Sequence, residues 1–200
     1  YSFSDTAVEP VAFPCASELH YADLVRFLRD HGVIGYYAEH ESDHVGDFWE
    51  LKHFLLTHLV ENPDADPAAL TALFMNRYYG KAAEALTWYR KKLDELCRKR
   101  GGFVNWEPGL AGFNWLTDKD IERFETMFDR VEKAVADDPL RLARVRHARS
   151  GLDALAVRRA DVRLVAHGVE VASTDAEAPR ARLRRDLPMW FGPNGHVRPF

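Results

Sequence analysis

Cysteine is scarce in this chain: two in 200 residues, Cys15 and Cys97, far apart and with no C-x-x-C pair. That excludes a disulfide framework and a cysteine-built zinc site, and leaves room for one bridge at most. No apolar run approaches the roughly 20 residues needed to span a bilayer, and no charged-then-apolar signal stands at the start, so a membrane is not an expected partner. Lysine is absent after Lys133, and the basic excess of the C-terminal part is therefore all arginine. Residues 139–200 hold 12 Arg and 6 acids, a net +6, whereas residues 1–138 hold 15 Lys+Arg against 25 Asp+Glu, a net -10. The basic stretch has no lysine and no interleaved aromatics before Trp190, which argues against nucleic acid as a partner. The arginines between 141 and 163 are expected on the solvated face of an amphipathic helix. An initiator Met is also missing; the chain opens at Tyr1. It is expected to be part of something longer, and its compartment is left open.

What the chain does have is a 46% hydrophobic content. That is enough to bury a proper core, as one compact domain or as one domain plus a piece of another. Residues 1–18, with turns at Glu9-Pro10 and Phe13-Pro14, suggest an ordered loop or a strand remnant. Tyr21, Leu24, Val25 and Leu28 then share one helical face, closed by His31-Gly32 as a C-cap. Residues 33–38, β-branched and aromatic, read as a short buried strand with Glu39 at its carboxyl end. From Phe48 onward the pattern is helical. Leu51, Leu55 and Leu59 stack in a helix stopped by Asn62-Pro63, and Asp66-Pro67 starts a second that runs to Tyr78-Tyr79-Gly80. Lys81 to Lys99 forms a third, closed by Gly101-Gly102. Thr117, with Asp120 three residues on, caps a fourth carrying Ile121, Phe124, Phe128 and Val131. Asp138-Pro139 starts a fifth, carrying Leu142, Val145, Leu152 and Leu155 and extending as far as Val165. The expected fold is mainly α, with three stretches: 1–46, 47–165 with about five helices, and an irregular tail over 166–200 with room for a short strand. Tyr78, Tyr79, Trp88 and Tyr89 have the spacing of buried helix faces rather than of a sugar-stacking platform. Trp106, Phe113 and Trp115, on a glycine-containing loop, have two readings, lining the site or burying against the rest of the protein, and packing is the favoured one.

One motif demands a decision. His40-Glu41-Ser42-Asp43-His44 fits H-E-x-x-H, which grips zinc only when both histidines lie on one helical face. The strand before it, the break at Gly46 and the N-cap expected of Asp47 put the motif on a strand-to-helix loop. A third ligand has no obvious place, since Asp47 and Glu50 stand where the extended motif wants Gly and His. The polar-loop reading is preferred, and no metal or cofactor is expected.

The stretch "HGVIGYYAEHES...GDFWELKHFLLTHLVENPDADPAALTALFMNRYYGKAAEALTWYRKKL" carries a resemblance. It is similar to the end of a bacterial family, catalogued as a domain of unknown function, that has a glycoside-hydrolase-like (β/α)8 barrel followed by helices and is distantly like hexosaminidases and α-glucuronidases. The helix-Gly-Val strand ending in an acid resembles the family's last barrel strand. "NPDAD" and Phe74, Tyr78, Tyr79, Gly80, Ala82 and Ala83 resemble its first helices after the barrel, and "LTDKDIERFETMFDRVEKAVADDPLRLARVRHARSGLD" is similar to its closing helical hairpin. The resemblance implies that 1–46 is the last helix-strand unit of a barrel, 47–165 a helical C-terminal domain and 166–200 a tail. It also implies that the catalytic carboxylates lie on strands outside this chain, so the chain alone would be inactive. The substrate would be a carbohydrate reached through the barrel. Glu39 would hold a ring hydroxyl, because a carboxylate accepts two hydroxyl hydrogen bonds in a fixed fork, with His40 and Tyr36 or Tyr37 beside it. The competing expectation is a non-catalytic helical packing or dimerisation module, with a homodimer through the helical region as its partner.

Overall fold

The computed structural model describes residues 11–37, 45–102, 110–165, 168–171 and 176–190. They form a mainly α-helical protein. A buried segment at residues 11–16 leads through a 3-10 turn, Ser17–His20, into α1, Tyr21–Asp30. Five helices follow: α2 (Trp49–Glu61), α3 (Pro67–Tyr79), α4 (Ala83–Lys99), α5 (Asp118–Ala134) and α6 (Pro139–Asp161). A two-stranded antiparallel hairpin comes next, β1 (Val162–Val165) and β2 (Gly168–Val171), with Val162 opposite Val171, and then α7 (Glu177–Trp190). No helix among the described residues is long and apolar enough to cross a membrane.

The caps follow local chemistry. The side chain of Asp66 accepts from the Ala68 amide at 2.8 Å with Pro67 at the first helical position, so two orphan N–H sites of α3 need no further partner. Thr117 and Asp120 form the reciprocal capping box of α5. At the end of α1, Gly32 (φ +80°) supplies the left-handed residue of a Schellman turn: Val33 N–H donates to Leu28 and Gly32 N–H to Arg29, both at 3.0 Å.

The core is organised around α6, which packs against α3, α5 and α7. Its residues 147–155 are all buried, so the helix is hidden on every side rather than amphipathic. Gly151 lets the buried segment cross it: a Cβ there would lie 2.6 Å from the Ala12 carbonyl oxygen. Segment 11–16 is held at its other edge by one parallel bridge, Val11 to Val45, with Ala12 N–H donating to Val45 O at 2.9 Å.

Four expectations need correction. Residues 33–37 are neither a strand nor buried; Ile34 is fully exposed, because the described residues offer this segment no strand to pair with and no apolar surface to cover it. Asp47 does not cap α2: the N-cap is Phe48, in the left-handed region at φ 51°, and the Asp47 carboxylate turns inward. The arginines of α6 are not a solvated face. Among those with described side chains only Arg158 is exposed, and Arg146 and Arg149 pair with α5 acids (Glu132, Asp129), so the opposite charges of the two chain halves meet across a helix interface. Finally, α6 stops at Asp161 rather than reaching Val165, and the polar tail contains α7. Its buried positions Ala176, Pro179, Leu183, Asp186 and Trp190 step by three and four, a helical stripe that a proline and an aspartate disguise in hydropathy.

Candidate functional site

Of the three residues assigned to sugar contact, Glu39 and His40 lie outside the described residues, as does the whole His40–His44 motif. Tyr37 is described and is 87% exposed. It follows the tightly capped end of α1 together with Val33 and Ile34, both exposed, and Tyr36, half-buried against the core. On the far side of the undescribed stretch the chain returns at Val45, which has no solvent exposure, and passes through Gly46 and Asp47 into α2. The candidate site is thus an exposed aromatic segment whose return end is fixed in the core.

A sealed ion cluster does the fixing. Asp47 Oδ2 accepts from the Cys15 amide at 3.0 Å, from Lys52 Nζ at 3.3 Å and from Arg90 NH1 at 2.6 Å. Arg90 also grips Glu18 in a fork, Nε to Oε1 and NH2 to Oε2, both at 2.8 Å, and donates to the Cys15 carbonyl. Its guanidinium lies over the Phe48 ring, 4.4 Å from the centroid. Arg90 is only 2% exposed, so two cations and two anions meet with almost no water. Burial opposes the Arg90 charge, yet the Asp47 and Glu18 carboxylates outweigh it and hold the guanidinium pKa well above its usual value. The cluster joins segment 15–18, the start of α2 and the middle of α4. Its geometry ties three separate parts of the chain together, which makes it a positioning cluster.

A second buried polar patch lies behind α2. His147 of α6 places Nδ1 3.5 Å from Glu50 Oε1, and its ring meets Trp190 of α7 edge-on at 5.2 Å. Burial lowers the His147 pKa, while the Glu50 and Asp47 charges pull the other way. Arg144 covers the Tyr78 ring at 3.9 Å and donates to the Tyr78 carbonyl at 3.0 Å. Burial, followed by the Glu50 charge, raises the Tyr78 phenol. Of the other aromatics assigned to packing, Tyr79, Tyr89, Phe113 and Trp115 are buried and Trp106 lies outside the described residues, whereas Trp88, expected on a buried helix face, is exposed. Cys15 and Cys97 are free thiols, each with its pKa raised by burial. No group of three or more metal-binding side chains occurs among the described residues.

Sequence reasoning missed Glu18, Asp47, Lys52 and Arg90 as one unit. A signal was present. Arg90 stands in the inward stripe of α4 with Leu86 and Leu93, and a charged residue at an apolar stripe position is almost never buried unpaired.

A mainly helical protein with a positioning cluster and an exposed aromatic segment is what the geometry defines. Residues 10–91 match the family model described as Domain of unknown function (DUF4838), about two fifths of the chain. The match takes in the aromatic segment, the undescribed stretch after it and all four charges of the sealed cluster, ending one residue past Arg90. No curated protein and no solved structure matches the chain.

Proposed function

We propose that the chain is the C-terminal portion of a glycoside-hydrolase-like protein acting on a carbohydrate. In this reading it supplies part of the sugar site and a helical support, and is inactive alone. One observation carries the reading. Val33, Ile34 and Tyr37 form an exposed apolar run, immediately after a rigidly capped helix and before a return end sealed by Arg90. An apolar run held in place yet uncovered implies a partner surface. The last staves of a (β/α)8 barrel would provide one, pairing the 33–37 backbone and covering Ile34. Tyr37, Glu39 and His40 then stand at the carboxyl end of that stave, where barrel enzymes bind substrate. The resemblance of the helical stretches supports the same reading, and the family match agrees with that resemblance as far as a domain of unknown function.

Glycan titration of the full-length protein, followed by tryptophan fluorescence, tests it. Glu39→Gln and Tyr37→Ala are each expected to weaken binding roughly tenfold, the scale of one lost charge-assisted hydrogen bond or stacking face. Unchanged affinity in Glu39→Gln removes that carboxylate from the site. Stoichiometric zinc that disappears in His40→Ala would instead favour the metalloprotease reading of the H-E-x-x-H match. The second reading, a helical packing or dimerisation module without sugar contact, is favoured by a different observation, the apolar groove between α3 and α4.

A further inference from the structure

Between α3 and α4 runs an open groove of about 630 Å³. Ala68, Thr71, Ala72, Met75, Ala83 and Thr87 line its floor. The two hydroxyls are already spent: Thr71 donates to the Pro67 carbonyl at 2.7 Å and Thr87 to the Ala83 carbonyl at 2.8 Å. Small side chains and used donors leave a floor that another helix can approach closely.

The wall formed by α4 has an ordered pattern of charge. Glu84, Trp88, Lys91 and Glu95 are exposed and recur at steps of four, three and four, the spacing of a helix-packing seam. Trp88 keeps 36% of its surface in solvent while Phe124 meets it edge-on at 5.9 Å and Arg123 lies 5.0 Å over its ring, so the indole is exposed but fixed. Lys92 pairs with Glu95 at 2.7 Å. Glu84 and Lys91 have no ion-pair partner among the described residues.

Opposite charges seven residues apart on one face are self-complementary under a two-fold axis between them. At about 1.5 Å rise per residue they stand roughly 10 Å apart along α4, with the axis falling between Thr87 and Trp88. Two antiparallel copies of α4 related by that axis bring Glu84 opposite the partner's Lys91 and Lys91 opposite the partner's Glu84. We propose that this groove is a homodimer interface, in which a second copy of the chain docks antiparallel through α4. The two Trp88 side chains pack beside the axis over the small-residue floors, and two reciprocal Glu84–Lys91 pairs set the register. An isologous contact of this kind uses one patch twice and needs no further surface. The seam carries equal numbers of acids and bases once Lys92 is counted, which suits a copy of itself better than a strongly charged partner. The inference does not depend on the carbohydrate reading, since glycan affinity and self-association are measured separately.

Sedimentation analysis of the full-length protein tests it with charge reversals. Wild type is expected to sediment as a concentration-dependent dimer. Glu84→Lys or Lys91→Glu puts like charges opposite one another twice and should raise the dimer Kd roughly tenfold or more. The double reversal should restore the wild-type Kd, and an equimolar mixture of the two single variants should form the heterodimer that neither forms with itself. Both side chains are exposed and have no ion-pair partner among the described residues, so thermal unfolding of dilute protein should not change between variants. A wild type that stays monomeric up to its solubility limit overturns the proposal. So does a dimer indifferent to the single reversals, or a double reversal no better than the singles.

Discussion

Arg90 and Arg182 each meet carboxylates brought from distant parts of the chain, but in different surroundings. Arg90 is sealed with Glu18 and Asp47, while the Arg182 side chain keeps 18% of its surface in solvent where it joins Asp153 of α6 to Glu125 of α5. Loss of Arg182 leaves Glu125 partly in water and the buried Asp153 still facing Arg149 at 3.4 Å, whereas loss of Arg90 leaves Glu18 sealed with no other ion-pair partner among the described residues. The difference teaches that an ion pair's contribution depends less on its bond lengths, which are similar here, than on what replaces it when it breaks. It also separates two roles. The sealed cluster fixes the return of the chain after the candidate site, and the wetter one fastens α7 to the helical body.

The sharpest way to test that contrast is to remove Arg90. Arg90→Leu leaves Glu18 and Asp47 buried and short of a cation, and should cost about 3–5 kcal/mol in urea unfolding. A loss below roughly 1 kcal/mol would mean that water reaches the cluster and that the contrast fails. Next comes the surface the cluster leans on. Gly151→Ala drives a Cβ to within 2.6 Å of the carbonyl oxygen of Ala12, a residue whose N–H is tied to the Val45 carbonyl, and should cost about 1–3 kcal/mol despite alanine's better helix propensity. A stabilised variant would show that segment 11–16 can move off α6.

Arg182→Ala should lose less, about 1–2 kcal/mol, because Glu125 stays partly in water and Arg149 still faces Asp153. Its pH dependence gives the stronger check. Burial raises the Asp153 pKa, and Arg182 then Arg149 oppose that rise. Without Arg182 the folded-state pKa climbs further above its unfolded value. The native state then holds a proton that the unfolded chain has released, so stability falls as pH rises through that interval. The deficit of the variant against wild type should therefore be largest near neutrality and shrink towards pH 4. A deficit independent of pH would place the loss in packing rather than in charge.

Much of the helical framework was legible because its signals are local. Asp66-Pro67, the Thr117–Asp120 box and His31-Gly32 act within a few residues of themselves, and each fell where expected. What was hidden depends on partners distant in sequence. Asp47 looked like an N-cap because no local rule reports Arg90, 43 residues away, and Arg146 and Arg149 of α6 looked solvated because their acids lie on α5. The 33–37 stretch has a strand's composition, but composition cannot supply the neighbouring strand that would make it one. Of the assigned site only Tyr37 lies among the described residues, and its exposure fits either a sugar contact or a covered interface.

The mildest test lies at a helix end open to water. Asp120 accepts from Thr117 through N–H and hydroxyl at 2.9 and 2.6 Å and from the Arg100 guanidinium. Partial burial raises its pKa, but the Arg100 and Thr117 hydrogen bonds outweigh that effect and bring it from 3.8 down to about 2. A folded-state pKa below the unfolded one stabilises the protein above pH 4, and that contribution fades as pH falls from about 4 towards 2. Screened by solvent, it should amount to about 1 kcal/mol, similar to the cost of Thr117→Ala at neutral pH. In Asp120→Asn the acid-dependent part of the unfolding curve between pH 4 and pH 2 should flatten by that amount, while Arg90→Leu, whose loss is already present at neutrality, should leave the slope contributed by Asp120 intact. If Asp120→Asn leaves the slope unchanged, the cap is no more than a surface pair, and the gradation from sealed to solvated charge would have to be redrawn at its outer end.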